Sequence, residues 1–428
     1  MNNNSLEAAQ QIVTQLAQGD FASVERCLAS NIKPLLAVGK LQSTWQSLAQ
    51  QVGAFKQQLK AQTLQTAHGP VEIVTCAFER MDLDVNITFS STGEISSLSI
   101  TPVGTVEQQM NVSYEPPPYA KLDQFHEYEV QVGQGEWMLP GTLSIPAGTG
   151  PFRAVVLVHG SGPNDRDETI PPNKPLRDLA WGLASQEIIV LRYDKRTRVY
   201  GAKINEHAST FTVKEEVIDD VLAAVALLRG RAEVDLEQIF VLGHSLGGYL
   251  APCIGAADTG IKGLIIMAGT ARPLEDVILD QMSYIISLSR ANEEEQVKQI
   301  AAIKKQVDLV KEPDLSPETP SAELPLGVPA AYWLDLRNYQ PAEVARSLKQ
   351  SMLILQAESD YQTTMEDFQI WKDALSTRND VQFKSYPGLY HLFISVEGGQ
   401  KATPAAYTVQ GHVVEAVIND IGSWIKQQ

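Results

Sequence analysis

Only three cysteines, Cys27, Cys76 and Cys253, occur in the 428 residues. They are too few and too scattered for a disulfide framework or a cysteine-based metal site, so a reduced, cytoplasmic setting is expected. Basic residues are also short: 34 Lys and Arg against 51 Asp and Glu leave a net charge of -17. Nucleic acid and anionic membrane surfaces are held by clustered Lys and Arg, so neither is an expected partner, and the acidic balance reads as solubility. No apolar run approaches the roughly 20 residues that cross a bilayer. The start, Met1-Asn2-Asn3-Asn4-Ser5, has no basic segment followed by an apolar one, so no export signal is expected in it, and a signal trimmed ahead of it would leave the same start. Histidine is rare too, seven in all, which keeps the search for a catalytic base short.

What the chain does have is a 44% hydrophobic content, enough to bury the cores of two domains. Leu6, Ala9, Ile12 and Leu16, then Leu41, Trp45, Leu48 and Val52, recur at helical spacing. From Phe55 to about Pro102 the period is two, clearest at Leu83, Val85, Ile87 and Phe89, with Ser91-Thr92-Gly93 as a turn. Helices followed by a strand meander predict a small α+β domain over residues 1–110. This order resembles the nuclear transport factor two-like cone, which implies an accessory or dimerisation module and a homodimer formed through it. His68, beside Gly69 and Pro70, is expected to be an exposed turn residue. Tyr114-Glu115-Pro116-Pro117-Pro118-Tyr119 can continue neither a ladder nor a helix, so residues 111–124 read as a stiff linker.

Residues 125–428 carry a different rhythm. Tyr128 to Val132 and Leu139 to Ile145 predict an antiparallel hairpin at a sheet edge. Ala154 to Val158, Ile188 to Leu191, Ile239 to Leu242, Leu264 to Met267 and Met352 to Leu355 are solid apolar runs, the pattern of parallel strands buried on both faces. Helical stretches separate them, one marked by the capping-box spacing Thr212-Val213-Lys214-Glu215 and the stripe Val217, Val221, Ala224 and Leu228. The fold class is α/β, a doubly wound and mostly parallel sheet. Between about 271 and 348 the strand rhythm stops; an insertion here would lie over the carboxyl ends of the strands, as a helical lid.

The chemistry is concentrated at Phe240-Val241-Leu242-Gly243-His244-Ser245-Leu246-Gly247-Gly248. An apolar strand runs into Gly-x-Ser-x-Gly and on into a small-residue helix, the context in which a serine sits on a strained turn with its hydroxyl exposed. The five-residue pattern alone would arise by chance in roughly one chain in seven of this length at average composition. Its context carries the weight. A serine hydroxyl needs a base, an acid to orient that base, and donors for the oxyanion. His391, in Gly388-Leu389-Tyr390-His391, follows the last strand, Val381 to Tyr386, and is preferred as base over His412 at the start of the C-terminal helix. His126 and His207 have no supporting context. Asp360 is preferred as acid because it lies several residues into the loop after Leu355; Glu358, nearer the strand, would support the loop. The glycine-rich turn His159-Gly160-Ser161-Gly162-Pro163 follows the first long parallel strand, so the backbone N–H groups of Ser161 and Leu246 are the expected oxyanion hole, with His159 bracing the loop.

On these residues, together with Arg192-Tyr193-Asp194-Lys195-Arg196 and Asp360-Tyr361-Gln362, the chain from about Tyr119 onward resembles bacterial α/β-hydrolases of the esterase or serine-aminopeptidase-like type. The resemblance implies a nucleophile elbow, a Ser245, Asp360, His391 triad and an acyl-enzyme, with no cofactor and no metal. It departs from the family at Ala357 and Ser359, where Gly and Arg are common, and in the basic loop Lys195-Arg196-Thr197-Arg198. That loop and Asp165-Arg166-Asp167-Glu168 could form an ion-pair network beside the site or carry solvated surface charge. A carboxylesterase acting on small to medium esters is the leading expectation. A peptidase of the same fold would need carboxylates for a free amino group, for which Glu275, Asp276 and Asp335 are available. A non-catalytic binding protein would lack a triad member, and here each role has a candidate.

Overall fold

The computed structural model describes residues 3–29, 32–33, 36, 38–66, 69–90, 92–104, 114–206, 210–289, 292–396, 398 and 401–428, so His68 and His207 lie outside the described residues. The chain divides into two compact units, Met1–Ser113 and Tyr114–Gln428.

In the first unit, helices α1 (Asn3–Gln18), α2 (Phe21–Arg26) and α3 (Val38–Val52) precede four antiparallel strands, β1 (Phe55–Thr66), β2 (Gly69–Phe78), β3 (Asp82–Phe89) and β4 (Ile95–Pro102), paired in chain order. The stripe Ala9, Ile12, Val13 and Leu16 of α1 packs on the inward residues Val74, Cys76, Val85 and Ile87. Helix α2 was not legible as a separate element; the Asp20 carboxylate caps it by accepting from the Ser23 N–H at 3.1 Å. Burial pushes the Cys76 thiol up to about 12, which makes it an inert core residue.

The second unit is built on an eight-stranded sheet in the order β12-β11-β10-β9-β7-β8-β6-β5. These strands are β5 (Phe125–Val132), β6 (Leu139–Pro146), β7 (Phe152–Val158), β8 (Ile188–Tyr193), β9 (Val234–His244), β10 (Gly263–Met267), β11 (Ser351–Ala357) and β12 (Val381–Tyr386). The pairs from β8 through β12 are parallel, while β5 and β6 form the antiparallel edge. Alternate residues of one strand feed two separate cores. In β7, Ala154, Val156 and Val158 join one and Val155 and Leu157 the other; in β9, Ile239 and Val241 divide from Phe240 and Leu242 in the same way. This two-sided burial is why the strands are continuous apolar runs, each buried Val, Leu or Ile contributing about 1.5–3 kcal/mol.

Helices α4 (Pro175–Ala184) and α12 (Glu415–Gln427) cover one face, α5 (Asp219–Arg229), α6 (Leu246–Ala257) and α11 (Met365–Ala374) the other. The stripe Val217, Val221, Ala224 and Leu228 is buried in the second of these layers; the Glu215 carboxylate accepts from the Thr212 N–H at 3.0 Å, and a single π-helical turn, Lys214–Ile218, leads into α5. Because β7 is followed by β8 on one side and β9 on the other, a crevice opens outside the carboxyl ends of β7 and β9.

The stretch expected as a stiff linker does not behave as one. From Tyr114 onward it docks on the second unit: Tyr114 donates its hydroxyl to Asp178 and stacks edge-on against Trp181 and His412, and Tyr119 donates to the Val413 carbonyl at 2.7 Å. Three prolines stop regular structure there, but the flanking tyrosines supply the packing. Residues 111–113 lie outside the described residues.

The insertion holds α7 (Leu274–Ser287), α8 (Glu293–Lys311), α9 (Ala330–Leu336) and α10 (Pro341–Ser347). It has a small core of its own around Ile278, Val310, Leu324 and Trp333. Gln281 donates to the Gln362 carbonyl at 3.0 Å and the Tyr284 ring lies 5.1 Å from Tyr361, so α7 borders the loop that carries Asp360. Among the described residues no helix is long and apolar enough to cross a membrane.

Candidate active site

Ser245 stands between β9 and α6 with φ 53° and ψ -114°, outside the basins an L-residue prefers. The turn can be this sharp because its glycines leave no room for anything else. A Cβ on Gly243 would fall 2.1 Å from the Gly247 carbonyl oxygen, and one on Gly247 would fall 2.6 Å from the Val158 carbonyl oxygen. The Ser245 N–H donates to the Met267 carbonyl at 2.9 Å and the Gly247 N–H to the His159 carbonyl at 3.1 Å, which pins the elbow between β10 and β7. The Ser245 hydroxyl caps no helix N–H. Among the described residues seven non-glycines carry positive φ, and four of them, Glu168, Ser245, Ala268 and Phe393, lie in the loops that follow β7, β9, β10 and β12.

Two expected partners come together here. Asp360, in the loop after β11, sets its Oδ2 2.6 Å from His391 Nδ1, and both side chains are buried. The other carboxylate oxygen accepts from the Gln362 N–H at 2.7 Å, which fixes its orientation. His391, in the turn after β12, lies against the elbow: its ring centroid is 4.7 Å from that of His244, the residue before the serine, and its carbonyl is 3.0 Å from His244 Nε2. His412 is elsewhere, with Nδ1 3.1 Å from the Asp178 carboxylate near the start of α12. His126 is exposed on β5. Glu358 accepts from the Ser385 hydroxyl at 2.7 Å and tethers its loop to β12.

The loop after β7 is clamped at both backbone polar groups of one residue, Gly160. The Gly160 N–H donates to Glu168 Oε1 at 2.7 Å, and the Gly160 carbonyl accepts from Lys195 Nζ at 2.8 Å and from the Asn164 amide at 3.1 Å. A Cβ on Gly160 would lie 3.1 Å from that of Ser245, so this loop touches the Ser245 turn. The N–H groups of Gly160 and Gly247 are thus committed, and Leu246, the first residue of α6, lies where backbone amides have no partner within the helix. His159 braces the loop from below, its buried ring edge-on to Tyr193. Burial pushes its pKa down to about 4, so it is a neutral structural residue.

The acidic and basic stretches flanking this loop are a network and not solvated surface charge. Arg192, 1% exposed, bridges Asp167 and Glu127; Arg177 reaches Asp167 at 2.6 Å; Lys195 reaches Glu216 at 2.7 Å; Arg166 binds Asp194 and Glu129. The site residue that sequence reasoning missed is Glu168. Its Oε2 lies 2.8 Å from His244 Nδ1. Burial opposes its charge, but the His244 ring and the Gly160 N–H outweigh burial and hold the carboxyl below the usual glutamate value. The same contact raises His244 above the ordinary imidazole value against the pull of burial. Its signal was present, a carboxylate eight residues after Gly160, yet four consecutive charges read as surface. Among the described residues no three His, Cys, Asp or Glu side chains are grouped to hold a metal ion.

An elbow serine and an Asp-His pair at the carboxyl ends of successive strands define a hydrolase of the α/β type, and the family models agree. Residues 151–397 match the family described as serine aminopeptidase, S33, and residues 9–98 match a domain described as a protein of unknown function, DUF3887. The chain belongs to the first of these families. Among curated proteins it is similar to esterase EstD of Thermotoga maritima, 39% identical over 96% of this chain and 93% of that protein. Solved structures similar to it include a Pyrococcus furiosus esterase, with 16% identity, 74% and 95% of the two chains covered and a TM-score of 0.45. Another is the Pyrococcus horikoshii acylaminoacyl peptidase, with 13% identity, 87% and 56% covered and a TM-score of 0.47.

Proposed function

We propose that the protein is a serine carboxylesterase that cleaves small to medium carboxylic esters through an acyl-enzyme at Ser245. The observation that carries this reading is the Asp360-His391 pair, 2.6 Å apart and buried, packed against the strained elbow that presents Ser245. His391 takes the hydroxyl proton as Ser245 attacks the ester carbonyl, then returns it to the leaving alcohol. Asp360 holds the ring with Nδ1–H toward itself, which leaves Nε2 to exchange the proton, and stabilises the imidazolium that forms. The Ser161 and Leu246 N–H groups receive the oxyanion. Water repeats the sequence on the acyl-enzyme and releases the acid.

The esterase reading is favoured over peptide cleavage by the acidic groups that would have to bind a free amino terminus. Asp276 is paired with Lys311, Asp335 is exposed on α9, and burial raises the carboxyl of the half-buried Glu275 above the usual glutamate value, which weakens it as a partner for a cation. The EstD relative, named an esterase, points the same way. The test is a parallel assay of the protein and its Ser245→Ala variant with nitrophenyl esters of graded acyl length and with aminoacyl-anilides. Serine-dependent ester cleavage without anilide cleavage is expected; serine-dependent anilide cleavage at comparable kcat/KM would replace the esterase by a peptidase.

A further inference from the structure

Glu168 and His244 form a second carboxylate-histidine pair, and nothing in the hydrolytic cycle uses it. Three contacts run through it in series. Glu168 Oε1 accepts from the Gly160 N–H at 2.7 Å, Oε2 faces His244 Nδ1 at 2.8 Å, and His244 Nε2 faces the His391 carbonyl at 3.0 Å. Both side chains are about 97% buried. The chain therefore joins the oxyanion loop, the residue before the nucleophile and the main chain of the base.

Its ends decide where its protons are. A carbonyl oxygen has none to give, so His244 Nε2 carries one. An ionised carboxylate has none either, so Nδ1 carries one too. With acceptors on both sides, the ring is an imidazolium, and it is the only arrangement that satisfies every contact while Glu168 stays ionised. The charged or titratable groups facing the pair are His391 with Asp360 and, across the loop, His159, which is faced in turn by Asp165 and by Lys195, whose own counter-ion is Glu216.

We propose that Glu168 and His244 are positioning residues for ester hydrolysis, a buried ion pair whose single shared proton fixes the oxyanion loop and the main chain of His391 in one geometry. This rests on the assignment of Ser245, Asp360 and His391 as the reacting set. A misplacement of the donors or of the base by a fraction of an ångström acts on the transition state more than on substrate binding, so the pair governs kcat rather than KM. It also has an alkaline limit. A histidine raised by its partner holds its contribution at low pH and loses it as pH climbs through the raised value; beyond that, a bare Nδ1 lone pair faces the carboxylate.

Two substitutions separate the charge from the connections. In Glu168→Gln the amide oxygen still accepts from Gly160, and the amide N–H donates to a neutral His244, which still donates to His391. All three contacts survive, but the dissociable proton is gone. In Glu168→Ala they are lost. The experiment measures kcat, KM and the pH profile of nitrophenyl ester hydrolysis for the wild type, both variants and Ser245→Ala. Glu168→Ala should lower kcat about 100-fold with KM within about threefold, the scale of losing one oxyanion donor. Glu168→Gln should recover to within about tenfold of wild type and lose the alkaline fall in kcat. Wild-type kcat in Glu168→Ala, an effect confined to KM, or an unchanged alkaline limb in Glu168→Gln would overturn the proposal. Should Glu168→Ala not fold, the alkaline limb of Glu168→Gln decides alone. Activity surviving in Ser245→Ala would instead sink the underlying site assignment, which keeps the two failures apart.

Discussion

Replacing Ser245 by glycine should destroy turnover and yet leave a protein more stable than Ser245→Ala. At φ 53° and ψ -114° the serine occupies a conformation that strains any residue with a Cβ by about 1–3 kcal/mol. Alanine keeps the Cβ and the strain, whereas glycine releases it. Against this, glycine widens the unfolded ensemble and costs about 0.4–1 kcal/mol. The hydroxyl caps no helix N–H, so both variants lose it on equal terms. The balance is about 1–2 kcal/mol in favour of glycine. For a unit spanning Tyr114–Gln428 the unfolding entropy is about 0.6 kcal/mol per degree, so the difference is a Tm about 2–3 °C higher. Scanning calorimetry on the paired variants reads it, and ester hydrolysis should fall about 10^6-fold in both. A Ser245→Gly protein that melts at or below Ser245→Ala would refute the strain argument, whatever its activity.

Three further outcomes follow from the same contacts. Asp360→Asn keeps the volume beside His391 but favours the wrong tautomer, so kcat should fall about 10^4-fold with KM little changed; a drop under tenfold would remove Asp360 from the acid role. His159 is held near pKa 4, below the usual 6.5, so the unfolded chain binds its proton first. Its contribution is complete above about pH 6.5 and is lost as pH falls toward 4, about 3 kcal/mol in all, and urea unfolding of His159→Asn should show a shallower acid-side decline than wild type. Asp167→Ala removes one of the two carboxylates on the buried Arg192, leaving Glu127, and should lower stability by about 1.5–3 kcal/mol in urea titration, against under 1 kcal/mol if the charges were solvated.

Much of this was legible because each feature is local. Runs such as Ala154 to Val158 must be strands buried twice over, since both alternating halves are apolar, and the two cores take one half each. Gly243 and Gly247 announce a turn that admits no Cβ. What was not legible depends on partners far away in sequence. Glu168 is defined by His244, 76 residues on, and Arg192 by Glu127, 65 residues back. In a linear reading their charges look like any others bound for water. Tyr114 and Tyr119 misled for the same reason: the prolines between them end regular structure, but only Asp178 and Val413 reveal that the segment is packed.

The central claim is that Ser245 is the nucleophile of an acyl-transfer site. A fluorophosphonate reacts with an activated serine and stays attached, so the labelled protein can be digested and the modified peptide identified by mass. Stoichiometric label is expected on the peptide holding Gly243-His244-Ser245-Leu246-Gly247, none in Ser245→Ala, and slow labelling in Asp360→Asn. Folded wild-type protein that hydrolyses esters without acquiring label at Ser245, or that carries it on another serine, would contradict the claim.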